Sequence, residues 1–285
     1  MTPTVELLAS GWTTAGPVVP FGATLVSPID IEQRIRLAGA AGFRGFGLAH
    51  ADLLAVKESI GYPTLRLMLA DHGLVHVEVE TLGDWFARDE RRAHADQVRH
   101  DLLEAAEALS ARHIKAEGDQ VDTDWPLERM LDDFHALGEQ AAAVGTRIAF
   151  EPMPFGNVRT PDEALRLVQL ADHPALGICL DLWHVERAAV DIGDLARLPA
   201  SAIAVVELND GSAEGVGTML EDTLHRRRLC GDGAFDTTGF IRAIRATGWD
   251  GPWGVEILSD QHRARDVTES IPAVYETTMA AFARA

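Results

Sequence analysis

The 285-residue chain predicts a closed parallel (β/α)8 barrel, a TIM-barrel fold, over residues 1–285 as a single domain. Three observations point there. Short apolar strand-like runs alternate eight times with helical patterns whose apolar residues recur at three-to-four spacing. No linker or shift of composition divides the sequence. The first turn, Ala9-Ser10-Gly11-Trp12, lacks the glycine-rich phosphate cradle usual in the runner-up fold, a doubly wound open sheet.

In chain order, residues 5–9 form the first apolar run, and 31–41 a helical pattern closed by Gly42. A strand is predicted at 45–48, and Gly73 marks the stop before another at 75–79. The helix at 91–109 leads to a strand at 113–116, and the helix at 127–144 to Gly145 and a strand at 147–150. Thr160-Pro161-Asp162-Glu163 reads as a capping box with proline at the first helical position, opening a helix through 171. Strands follow at 176–180 and 203–208, a helix at 240–247 closed by Gly248, a strand at 253–257 and a last helix at 267–283. Each of the four glycines suits the left-handed position that ends a helix.

Composition narrows the function. Forty-four acidic against 25 basic residues leave a formal charge of −19, which repels phosphate backbones and anionic lipid, so neither nucleic acid nor membrane is expected as a partner. The two cysteines, Cys179 and Cys230, lack a CxxC spacing; they are expected to be inert thiols in a reducing compartment. The opening Met1-Thr2-Pro3-Thr4-Val5-Glu6 has no basic start or apolar stretch of signal-peptide length, and no apolar run approaches a membrane span, so the expected location is the cytoplasm.

The chemistry is announced where strands end. Val79-Glu80, Ala116-Glu117, Phe150-Glu151, Leu180-Asp181, Glu207-Leu208 and Val255-Glu256 place carboxylates where a parallel strand should be apolar. Around a closed barrel these ends converge on the mouth, where barrel enzymes keep their active sites. Like charges so close require protonation or a shared cation, and a hard divalent metal with oxygen ligands is the simplest one.

Ala149-Phe150-Glu151-Pro152-Met153-Pro154, Leu180-Asp181-Leu182-Trp183-His184, Val206-Glu207-Leu208-Asn209-Asp210 and Gly251-Pro252-Trp253-Gly254-Val255-Glu256 together resemble the sugar phosphate isomerase/epimerase family of the xylose isomerase-like TIM-barrel superfamily. The stretch Arg227-Arg228-Leu229-Cys230-Gly231-Asp232-Gly233 is similar to that family's Arg-x-x-Gly-x-Gly loop. The resemblance implies a divalent metal on Glu151, Asp181, Glu207 and Glu256, with Mn²⁺ first and Mg²⁺, Co²⁺ or Zn²⁺ as alternatives. It also implies proton transfer by Glu151 and Glu256 and a substrate contact or support role for His184. Glu207 stands where many members carry His and some Gln, so it is either a ligand or a partner for substrate hydroxyls or a nearby cation, with Lys115 or Arg227 supplying the charge.

The remaining candidates are less marked. Arg227 or Arg228 is expected to hold a hydroxyl, carboxylate or phosphate. Lys115 and Glu117 share one face of a strand and are expected to pair. Glu80 and Glu117 are expected in solvated loops. Trp12, Trp183 and Trp253 are candidates for an apolar wall against a sugar ring, with core packing as the default, and His50 is expected to line the pocket. The leading function is metal-dependent isomerisation or epimerisation of a small sugar or keto-polyol through an enediolate. The alternative is a dehydratase or lyase acting on a keto-sugar or dehydroshikimate-type substrate by β-elimination. An endonuclease IV-like phosphodiesterase and a non-catalytic subunit rank below. A homo-oligomer is a further expectation.

Overall fold

Eight strands hydrogen-bond in sequence order and close into an all-parallel barrel in the computed structural model, which describes residues 5–285. They are β1 (Leu7–Ala9), β2 (Gly45–Ala49), β3 (His76–Leu82), β4 (His113–Glu117), β5 (Ile148–Glu151), β6 (Leu176–Asp181), β7 (Ile203–Leu208) and β8 (Trp253–Val255). Met1 to Thr4, part of the N-terminal stretch considered above, lie outside the described residues. No helix among the described residues is long and apolar enough to cross a membrane.

The helices form for the reasons their sequences suggest. Ile31–Ala41 and Arg91–Leu109 have the predicted bounds. Gly42, Gly73, Gly145 and Gly248 all take positive φ, from 72° to 112°. Thr160 caps Pro161–Ala171 by accepting the Glu163 N–H. The box is only half built, because the Glu163 carboxylate accepts the Arg159 N–H instead. The 127–144 pattern divides into a tight turn at Leu127–Met130, just after Pro126, and a helix at Leu131–Ala143. β8 ends before Ile257, whose N–H is taken by the Thr13 hydroxyl at 2.9 Å.

The main apolar core lies between the strands and the surrounding helices, whereas the small cluster of Ala149, Cys179, Ala204 and Val205 stands apart from it. Small residues leave room in the barrel for long polar chains. A Cβ on Gly47 would come within 2.8 Å of a Glu78 oxygen, and one on Gly254 within 2.9 Å of Glu207 Cγ. Side chains alternate inward along each strand, and the register sets Glu117 level with Glu151 and Asp181 level with Glu207. The acidic strand ends therefore meet in one layer.

Candidate active site and metal centre

Two buried cations organise that layer. Lys115 extends from β4 to residues of β3, β7 and the end of β8. Its Nζ lies 2.7 Å from Glu80 Oε2, 2.7 Å from Glu256 Oε1 and 3.0 Å from Glu207 Oε1. Arg227 follows the helix Met219–His225; its Nη1 donates to Asp181 Oδ2 at 2.7 Å and lies 3.0 Å from Glu256 Oε2. Nε and Nη2 of Arg227 donate to Thr223 Oγ1, which fixes the guanidinium plane.

Asp181 serves two ends. Its Oδ1 accepts the Trp183 and His184 N–H groups and caps the helix Leu182–Arg187, while Oδ2 also accepts Asn209 Nδ2 at 2.9 Å. Glu151 is less committed: its Oε1 is buried without a hydrogen-bond donor and lies 3.5 Å from His184 Nε2.

The charge balance explains the protonation pattern. Glu80, Glu151, Asp181, Glu207 and Glu256 contribute five formal negative charges, Lys115 and Arg227 two positive, leaving an excess of three negatives. Burial pushes Glu151 and Glu207 well above the usual carboxylate range, and neighbouring carboxylates add to it against the pull of Lys115. Glu80 rises to about 8, mainly through burial. Burial would also raise Asp181, but Arg227 and its hydrogen bonds hold it low. For Lys115, burial favours the neutral amine, yet Glu207, Glu256 and Glu80 outweigh it and keep the ammonium. His184 is driven down to about 3 by burial, with Arg227 and Lys115 adding to the effect, so it is neutral.

One oxygen each from Glu151, Asp181, Glu207 and Glu256 lies within 4.8 Å of the others. A hard oxygen set, an excess of negative charge and the unpartnered Glu151 Oε1 fit a divalent cation. Cys179 Sγ also lies within 4.8 Å of an oxygen of Glu151 and of Glu207, but burial and those carboxylates hold the thiol protonated, and it donates to Glu207 Oε2 at 3.7 Å.

Above the layer opens a cavity of about 330 Å³, within the range of small-molecule sites. Its wall includes Trp12, His50, Lys115, Glu117, Glu151, His184, Arg227 and Glu256. Asp181 and Glu207 are absent from that wall, so Glu207 meets a cation rather than the cavity.

Several expectations are corrected. Arg228 is exposed and turned away: its backbone pairs with Asp210 and its side chain donates to the Asp232 carbonyl. Lys115 pairs with Glu80, Glu207 and Glu256 rather than Glu117, because its stem spans the barrel instead of following its own strand. Glu80 is buried, also accepting the Gly11 N–H at 2.9 Å. Glu117 is half-buried on the cavity wall, and burial, with Asp84 nearby, raises its carboxyl to about 7. Trp183 and Trp253 follow the expected default of core packing; Trp253 packs edge-on against Phe282 at 5.0 Å. Both cysteines are buried, as expected of inert thiols.

The comparisons with known proteins agree with this architecture. The family described as xylose isomerase-like TIM barrel matches residues 35–277. A 3-dehydroshikimate dehydratase from Pseudomonas putida is 30% identical over 246 residues, 85% of this chain and 38% of that protein. The chain thus spans well under half the length of that relative. An inosose isomerase from Halalkalibacterium halodurans is 24% identical over 145 residues, half of each chain. The solved structure of the IOLI protein with a bound zinc atom superposes with a TM-score of 0.84 at 18% identity, covering 98% of this chain and 99% of that one.

Proposed function

This chain belongs to the family of xylose isomerase-like TIM barrels, and on that premise we propose that it is a metal-dependent enolising enzyme that dehydrates a small keto-polyol. The observation that carries the proposal is Glu151 Oε1, a buried carboxylate oxygen without a donor, on the wall of the cavity and beside a neutral histidine. Such an oxygen is a competent base for a proton next to a carbonyl.

Glu151, Asp181, Glu207 and Glu256 would hold the metal, whose positive charge would stabilise the enolate oxygen. The oxygen donors favour Mn²⁺ or Mg²⁺; Co²⁺ and Zn²⁺ are the alternatives, zinc being the ion bound by the IOLI protein. Glu151, which the charge of a bound metal would keep ionised against the burial that favours its protonated form, takes the α-proton, and the C–H electron pair moves into the enolate. Collapse of the enolate restores the carbonyl and breaks the β carbon–oxygen bond. Glu117, still protonated near neutrality, gives its proton to the departing hydroxyl, which leaves as water. Solvent returns the proton from Glu151 to Glu117, and the sum is one water and an enone. His184 and Arg227 orient substrate oxygens as donors. The likeness to 3-dehydroshikimate dehydratases supports dehydration.

A second outcome, isomerisation or epimerisation, shares the first step. The approach of Glu151 and Glu256 favours it, since two carboxylates could remove and return a proton at different positions, and so does the likeness to inosose isomerases. The Mn²⁺-supplemented protein should be incubated with 3-dehydroshikimate and with inososes. A growing ultraviolet band of a conjugated product supports dehydration, and a new ketose without such a band supports isomerisation. Neither change with any substrate refutes both.

A further inference from the structure

Among 25 basic residues only two are lysines, Lys57 and Lys115. Lys57 is exposed and pairs with Glu104 on the surface. The other lysine sits in the centre of the acidic layer. A compact ammonium on a thin stem can present its donors to several oxygens at one point, which a planar guanidinium cannot do. Lys115 uses this property: its Nζ gathers oxygens from three strand ends within 3.0 Å, as a metal gathers ligands.

The oxygens it holds are contested. Glu207 and Glu256 are two of the four acids that converge as a cation site. Lys115 lies 3.0 and 3.3 Å from the two Glu207 oxygens. On Glu256 it takes Oε1, and Arg227 is at Oε2. A divalent ion sharing those oxygens would lie close to the ammonium, where like charges repel with little solvent between them.

Resting on the metal reading above, we propose that Lys115 is a resident cation that holds the metal's place. In the metal-free protein its ammonium occupies the oxygens of Glu207 and Glu256, and ion binding draws it off both, leaving it on Glu80 at the cavity wall. Metal-free protein then stays folded, and uptake of the ion is weakened by the cost of displacing the ammonium.

The test uses this chelator-treated chain, wild type and Lys115→Met, titrated calorimetrically with Mn²⁺ and with Zn²⁺. The neutral variant should bind at least about tenfold more tightly than wild type, or bind where wild type does not, and Lys57→Met should match wild type. Equal or weaker binding in Lys115→Met overturns the proposal and leaves the metal centre standing. Absence of binding in both forms overturns both. Should Lys115→Met fail to fold, wild type labelled with ¹⁵N-lysine supplies the answer, since it has only two Nζ signals. Saturating Zn²⁺ should shift the Lys115 signal and leave that of Lys57 unmoved; an unmoved Lys115 signal overturns the proposal.

Discussion

Arg227 and Arg228 are neighbours in sequence, and replacing them should have opposite consequences. Arg227→Met removes the cation that touches Asp181 at 2.7 Å and Glu256 at 3.0 Å and leaves both carboxylates buried. Losing one partner of a buried pair costs about 3–5 kcal/mol. The Thr223 hydroxyl also loses its donors, while Asp181 keeps the Trp183, His184 and Asn209 hydrogen bonds. Methionine fills part of the volume, so the lower half of that range is expected. At roughly 2–3 °C per kcal/mol for a chain of this length, the midpoint of thermal unfolding should fall by ~6–12 °C.

The pH dependence has a definite sign. Asp181 is held below its ordinary value of 3.8 in the native protein, so its contribution is present above that pH and disappears as the acid is protonated below it. The gap between wild type and Arg227→Met should be widest near neutrality and close below about pH 4. Arg228→Ala, an exposed change, should stay within about 0.5 kcal/mol of wild type. Calorimetric scans across pH measure all three proteins. Equal midpoints for the two variants, or a gap that widens in acid, would refute the assignment of Arg227 as the counter-charge of Asp181.

Other consequences follow from the same layer. Glu151→Gln should lower turnover by about 10²–10⁴-fold, as expected for loss of a base, without unfolding the protein in circular dichroism; unchanged steady-state rates would remove Glu151 from the chemistry. Because Glu117 keeps its proton up to about pH 7, dehydration should decline as pH rises through that value, and Glu117→Gln should be slow with that limb gone; an unaltered rate–pH profile in the variant would exclude it as the acid. Lys115 is held as an ammonium and cannot attack a ketone, so borohydride added during turnover should leave no substrate mass on the protein, and a trapped adduct would contradict the ion-pair geometry. Cys179 is buried with its thiol pushed well up, so native protein should not react there with a thiol reagent at neutral pH, as peptide mass spectrometry would show.

Much of this architecture was legible in the sequence because two periodicities are plain in it: apolar runs give the strands, and acids at their C-terminal ends give the layer. Glu151, Asp181, Glu207 and Glu256 meet because register and closure bring equal heights together, a property of parallel strands rather than of any local motif. The partner of Lys115 was not legible. Alternation correctly puts Lys115 and Glu117 on one face, but the length of the lysine stem lets it reach strands on the other side of the barrel, and only closure reveals that. Glu80 carries the same signal as the other strand-end acids, a carboxylate after an apolar run, but no motif surrounds it to separate a buried acid from one in a solvated loop. Arg227 and Arg228 are chemically equal in the sequence; the backbone bridge between Arg228 and Asp210 makes one buried and the other exposed.

Solvent isotope uptake tests the central chemistry most directly. With a ketone substrate turned over in deuterated water with Mn²⁺ present, recovered or isomerised material should carry deuterium in place of a hydrogen beside its carbonyl, dehydrated product should simply have lost that hydrogen, and Glu151→Gln should abolish both. Turnover that leaves every such hydrogen in place, or exchange as fast in Glu151→Gln as in wild type, would contradict enolisation by this carboxylate.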